Sequence, residues 1–428
     1  MSIIVLRNAL LFDGRSDDLR DDVDIVVEDN RVREIVDGRA SVGNATEIDV
    51  EGRTVLPGLI DAHVHVFAVH LNAYRTKDYP LTYLTVLALP RIKAMLDRGF
   101  TTVRDVAGGD FGIKDALARN LIPGPRAFVG GPGLTQTGGH GDHRSRTDSS
   151  DDLCGCANGL DFTRRLVDGP DQMRLAVRDE LRKGADHIKV MASGGVGSPH
   201  DAIDDCQFSE EELRIAAEET ALRGTYVAAH TYGSKAVQRA VGNGIRTVEH
   251  CNLIDEETAI FVRDHNAFVV PTMVCYEVTE RHGDDMGLSP VVMEKLRYVI
   301  EGGLRMLEYC ARSGTKMGFG SDLMGEMEFA QAHEFVIRAQ VQKPIDVLRS
   351  ATSINAEILN RSGELGCVAP GALADMVVVD GNPLDDIALL DGQGENLSVI
   401  MQDGRLYKNR LPAREVSTAT SAPASAAH

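Results

Sequence analysis

The sequence predicts a (β/α)₈ barrel carrying a small β-sandwich domain assembled from both ends of the chain. Three observations point there. Residues 58–355 alternate short apolar runs with amphipathic stretches, the pattern of strands joined by helical crossovers. Both ends of the chain read instead as short strands separated by turns. Residue types able to bind a metal fall on or just after the predicted strands of the middle, at the face where barrels build their sites.

The first part of the sandwich, 1–57, is expected to hold strands at 3–6, 24–28, 31–36, 46–50 and 54–56, with a hairpin turn at Asp29-Asn30. The barrel strands are expected at 58–62, 101–105, 127–130, 187–192, 226–230, 247–250, 268–271 and 316–321. Helices are expected at 209–222 and 290–312. Ser209 with Glu212 three residues on forms a capping box, which marks a helix start. An open doubly wound sheet is the alternative, but no G-x-G-x-x-G follows a first strand. The glycine-rich stretch 131–170 reads as a loop at the mouth of the site. Residues 356–412 complete the sandwich with strands at 375–380 and 397–402 and a turn at Asp403-Gly404. The small polar residues of 413–428 read as a disordered tail.

The formal charge of −19 disfavours a nucleic-acid partner, whose phosphates it would repel, and equally an anionic membrane surface. No run approaches the ~18 apolar residues of a membrane span. The N-terminus MSIIVLRNALLFDG lacks the features of a secretory leader, so a cytoplasmic protein is expected. Seven cysteines over 428 residues do not resemble a disulfide framework. Cys154 and Cys156 form a C-x-C with no second pair nearby, which reads as two loop thiols.

The strongest chemical signal is Asp61-Ala62-His63-Val64-His65 after an apolar strand. Side chains two apart on a strand point the same way, so His63 and His65 can grip one metal. An isolated H-x-H is a weak signal. Here it is joined by Lys189 inside the strand HIKVMA, where an unpaired ammonium is costly, by His230 and His250 ending the strands TYVAAH and TVEH, and by Asp322 after MGFGS.

With VLPGLIDAHVH, TTVRD, HIKVMASGG, HTYG, VEHC, GSD and the closing GALADMVVVDGNPL, the chain resembles the amidohydrolase superfamily over nearly its whole length. More narrowly it resembles the Xaa-Pro dipeptidase, arginine carboxypeptidase and ochratoxin-hydrolase group, through GGPGLTQTGGHGD and the pair His230 and Tyr232. The resemblance implies two divalent metal ions and a Lys189 carboxylated by CO₂ to a bridging carbamate. His63, His65 and Asp322 would hold the first ion and His230 and His250 the second, with a hydroxide between them. Histidine-rich, oxygen-bridged ligation suits zinc, with manganese and cobalt open.

The implied reaction is attack of that hydroxide on an amide carbonyl, with Asp322 carrying the proton to the departing amine. His140, in the loop TGGHGD, is a candidate to hydrogen-bond the substrate or the oxyanion, and Tyr232 to meet a substrate carboxylate or carbonyl. The expected substrates are Xaa-Pro dipeptides or N-acyl amino acids. Bulkier aryl-acyl conjugates of the ochratoxin kind and cyclic amides of the dihydroorotase or hydantoinase kind are the alternatives. A deaminase is disfavoured, because H-x-x-E is replaced by His230-Thr231-Tyr232-Gly233. A catalytically silent scaffold is disfavoured by the complete ligand set. A homo-oligomer, octameric in the resemblance, is expected.

Overall fold

The computed structural model describes residues 2–71, 79–144, 164–198, 201–283 and 287–416. Its N-terminal strands are β1 (Ile3–Leu11), β2 (Arg20–Glu28), β3 (Arg31–Asp37), β4 (Ala45–Asp49) and β5 (Thr54–Pro57). The two-residue turn between β2 and β3 sits at Asp29-Asn30 as the sequence predicts, with Asp29 at φ 53°. Next come the parallel strands β6 (Leu59–Val64), β7 (Phe100–Asp105) and β8 (Arg126–Val129). A second sheet of parallel strands contains β9 (Gly133–Thr135), β10 (Arg164–Leu166), β11 (Ile188–Met191), β12 (Val227–Gly233), β13 (Thr247–Leu253) and β14 (Phe268–Val270), in the order β10-β9-β11-β12-β13-β14. The C-terminal strands are β15 (Met376–Val379), β16 (Leu397–Gln402), β17 (Arg405–Asn409) and β18 (Ala413–Val416).

Hydrogen bonds link the terminal strands into one nine-stranded sheet. It forks at β1, whose first half pairs with β4 and whose last residues pair with β5. Period-two alternation sends Val23, Ile25, Val27, Met376, Val378, Val399 and Met401 into this sheet's own core. Val377, Val379 and Ile400 point the other way, into a core shared with β6, β7 and the helix Leu81–Asp97. Two expectations are corrected. Ala413–Val416 pair antiparallel with β4, so the tail does not begin at 413; Thr46 Oγ1 donates to the Glu415 carboxylate across this edge at 2.8 Å. Residues 417–428 lie outside the described residues. Secondly, the stretch 131–170 is not all loop: β9 and β10 pair in parallel and β9 continues onto β11. Cys154 and Cys156 lie outside the described residues.

The predicted strand 316–321 is present only as a bridge at Met317 to Val269. Its main chain still links both neighbours: Gly318 N donates to Val269 O at 2.8 Å, and Ala62 N donates to Phe319 O at 2.8 Å. The Asn355 side chain interrupts regular pairing. It accepts from Phe319 N and donates to Ile60 O and Phe319 O. On the opposite side, Asp186 N donates to Val129 O at 2.8 Å and joins β8 to the segment entering β11.

Helices cover the outer faces of these parallel strands. Glu210–Ala221 starts at Ser209 with both halves of the capping box formed, and Pro290–Ser313 starts at a Ser289 cap. With their neighbours they bury one large apolar cluster against β11–β14. Among the described residues, no helix is long and apolar enough to cross a membrane.

Candidate metal centre

Asp61 organises the first ligands. It is fully buried in the middle of β6 and accepts from His63 N, Ser321 N, Ser321 Oγ at 2.6 Å and Gln331 Nε2 at 2.9 Å. These bonds tie the His63 strand to the segment carrying Asp322, and Asp322 N donates back to His63 O at 2.8 Å. Burial pushes the Asp61 carboxyl up to about 6 even against those hydrogen bonds. Asp322 sits at φ 52°, and His250 and Cys251 at 70° and 60°. Such conformations cost non-glycine residues about 1–3 kcal/mol each and gather at functional sites.

The geometry brings the predicted ligands together. His63 Nε2 and His65 Nε2 lie 3.5 and 3.2 Å from Asp322 Oδ1, and His250 Nδ1 lies 3.9 Å from Oδ2. Ligand atoms of His63, His250 and Asp322 fall within 4.8 Å of one another. The His230 ring is 4.6 Å from that of His250. Parallel register places Lys189 beside Ala228 and Met191 beside His230, so Lys189 is buried one strand over from His230 and two from His250.

Burial dominates the electrostatics. It holds His63 and His230 far below the usual histidine range and brings His250 down to about 3. Neutral imidazole is the form that ligates metal. Burial also lowers Lys189 to about 8, with Glu249 and Asp322 working against it. The opposite result marks where positive charge is wanted. Burial opposes the charged form of both His65 and Asp322, yet their mutual contact raises His65, and the surrounding imidazoles keep Asp322 below the ordinary carboxylate range.

Each histidine is oriented from behind. His63 Nδ1 meets Glu249 at 2.7 Å, His65 Nδ1 meets Ala107 O at 2.7 Å, and His250 Nδ1 meets Thr272 Oγ1 at 2.8 Å. A carbonyl or carboxylate can only accept, so Nδ1 carries a proton in His63 and His65, and Nε2 is the nitrogen turned toward Asp322. In His230 the carbonyl of Gly194 lies 3.2 Å from Nε2, which leaves Nδ1 as the ligand atom. Glu249 in turn receives both Nη2 contacts of Arg104 at 2.9 Å and Thr247 Oγ1 at 2.7 Å. Sequence reasoning missed Glu249, Arg104 and Thr272. The available signals were a glutamate next to His250 and an arginine within the apolar strand TTVRD.

The two predicted substrate-facing residues lie against the ligands. The His140 ring stacks on His230 at 4.3 Å between centroids. Tyr232 is buried 5.1 Å from His230 and 5.4 Å from His250, and its hydroxyl meets that of Tyr276 at 3.0 Å. Tyr276 was not anticipated from the sequence.

A metal fits this residue set. Asp322 Oδ1 is buried with no hydrogen-bond partner although it faces two imidazole nitrogens. An unsatisfied carboxylate oxygen among imidazole nitrogens is what a divalent cation would satisfy. The Amidohydrolase family model matches residues 54–406, a span that includes every one of these side chains. The chain belongs to the amidohydrolase family. Its relatives include a prolidase crystallised with N-methylphosphonate-L-proline, 44% identical with a TM-score of 0.93 over 96% of this chain and 100% of that one. A Xaa-Pro dipeptidase with methionine bound in its active site is 29% identical, with a TM-score of 0.84 over 95% of this chain and all of the other. Ochratoxinase from Aspergillus niger is 28% identical over 368 residues, 83% of this chain and 75% of its own length. As an amidohydrolase the chain is a hydrolase, and small-molecule substrates are consistent with that family.

Proposed function

We propose that this amidohydrolase cleaves the amide bond of Xaa-Pro dipeptides or N-acyl amino acids at a centre of two divalent metal ions, zinc being the expected metal. The observation that carries the reading is the convergence of His63, His65, His230, His250 and Asp322 beside a buried lysine. The prolidase with its proline phosphonate, at 44% identity, supports a substrate ending in a free carboxylate. In this reading the two groups of parallel strands and segment 316–322 close into a (β/α)₈ barrel of residues 58–355. The hydrogen bonds of Asp186 to Val129 and of Gly318 and Ala62 to their neighbours support that closure.

His63, His65 and Asp322 would hold one ion and His230 and His250 the other, with Lys189 as a carbamate between them. Burial favours the uncharged amine of Lys189, which is the form that combines with CO₂. When bound, such ions generate a nucleophile from water at neutral pH and polarise the scissile carbonyl. Asp322, ionised throughout the neutral range, accepts the proton lost by the attacking water and returns it to the departing nitrogen. Tyr232 donates its hydroxyl to the substrate's carboxylate or carbonyl, steadied by Tyr276 and packed against His250. His140 lines the same end of the site.

A second reading, cleavage of a bulkier aryl-acyl amino acid, is favoured by the ochratoxinase similarity. One assay separates them: a panel of Xaa-Pro dipeptides, N-acyl amino acids and ochratoxin A, with zinc and bicarbonate supplied. Turnover confined to ochratoxin A selects the second reading. No turnover of any carboxylate-bearing amide by protein holding two metal equivalents refutes both.

A further inference from the structure

After β11, residues 193–198 and 201–207 form a loop region whose ends are tied by pairing of Ser193 with Cys206 and by Gln207 N donating to Ala192 O at 2.9 Å. It touches the candidate centre at two points. The Gly194 carbonyl faces His230 Nε2, and Gly195 lies so close to the His140 ring that a side chain there would overlap it. From the same loop region, Asp201 lies 3.6 Å from His140 Nδ1, and Gln207 both donates to Asp201 at 3.1 Å and accepts from His140 N at 2.9 Å.

A single side chain from a distant helix gathers several acceptors of this loop. Lys295, on Pro290–Ser313, donates to Gly195 O at 3.1 Å, Ser198 O at 2.6 Å, Asp201 O and the Asp201 carboxylate at 3.3 Å. Its side chain is 14% exposed and that of Asp201 2%. Four acceptors converging on one point suit a compact ammonium with three donors, and suit a planar guanidinium poorly.

We infer that Lys295 and Asp201 are positioning residues that clamp residues 193–198 and 201–207 against His140 and His230, and so set the end of the site that takes the substrate's carboxylate. This rests on the function proposed above. Neither residue touches reacting atoms; they act through His140 and through the Gly194 carbonyl.

The test uses metal-loaded full-length protein as wild type, Lys295→Met, Lys295→Arg and Asp201→Asn. Two substrates share the scissile bond and differ only in the carboxylate: Ala-Pro and Ala-pyrrolidide. Wild type is expected to prefer Ala-Pro by about 100-fold in kcat/KM, since a charged partner is lost in the pyrrolidide. Each variant should lose at least about tenfold of that preference, mainly through KM for Ala-Pro, and Lys295→Arg should not restore it. Hydrogen exchange over 193–198 and 201–207 should rise in the variants while that of the terminal sheet stays unchanged. Equal losses on both substrates, loss of metal by the variants, or unchanged exchange in the loop overturns the inference. Wild type inactive on both substrates, with exchange responding as stated, refutes the proposed function and the carboxylate role with it, and leaves the clamp itself standing.

Discussion

Glu249 Oε2 and His63 Nδ1 meet at 2.7 Å with both side chains sealed from solvent. The carboxylate fixes which ring nitrogen carries the proton and so aims the other at Asp322. Glu249→Gln keeps the shape and removes the charge. Its affinity for divalent metal, measured by chelator competition, should fall by about 10–100-fold. Unchanged affinity would mean that the ring is aimed without Glu249.

Lys189→Ala removes the proposed bridge while leaving the five other ligands in place. Wild type should hold about two metal equivalents per chain, and the variant fewer, with nearly all turnover gone. Metal analysis together with the dipeptide assay checks this. Near-normal activity in the variant would sink the bridging role.

Gly320 lies directly behind His63: a Cβ added there would stand 2.7 Å from His63 Cβ and 2.9 Å from Val270 Cγ1. Both neighbours belong to packed strands and have little room to give. Gly320→Ala should cost about 1–3 kcal/mol of stability and lower metal occupancy, read by urea unfolding and metal analysis. A variant equal to wild type in both would show that the segment can shift without moving His63.

Glu328 is buried with neither carboxylate oxygen hydrogen-bonded, and burial pushes it up to about 7 despite Arg91 and Arg98. The folded protein thus binds this proton more tightly than the unfolded chain. The resulting stability is complete below about pH 4.5 and is lost as pH rises through about 7. Glu328→Gln should match wild type near pH 5 and exceed it near pH 9 by about 3 kcal/mol. Urea midpoints at the two pH values measure it, and a pH-independent difference would contradict the assignment.

The convergence of the candidate ligands was legible in the sequence because histidine and aspartate at strand ends are metal-binding residue types. The side chains behind them were not. Alternation along a strand sends consecutive residues to opposite faces, so Glu249 and His250 should not both reach the centre. They do because φ turns positive at His250 and Cys251, a departure that no propensity announces. The seven other strands expected of the barrel lie within three residues of their expected limits, whereas 316–321 lost its regular ladder to the amide of Asn355, a contact 36 residues away. Lys295 reads in sequence as one more charge on a helix. Only its distance from residues 193–198 and 201–207 in space gives it a role.

The pairing of β5 with β15 joins Thr54 to Val379, residues more than three hundred positions apart. During synthesis at about 5–20 residues per second, β5 therefore waits roughly 15–60 s for that neighbour. Its four residues are all buried in the finished protein, so the growing chain carries an apolar strand edge that can stick to other nascent chains. Yield in a cell will depend on how well chaperones shield residues 54–57 until the last strands leave the ribosome.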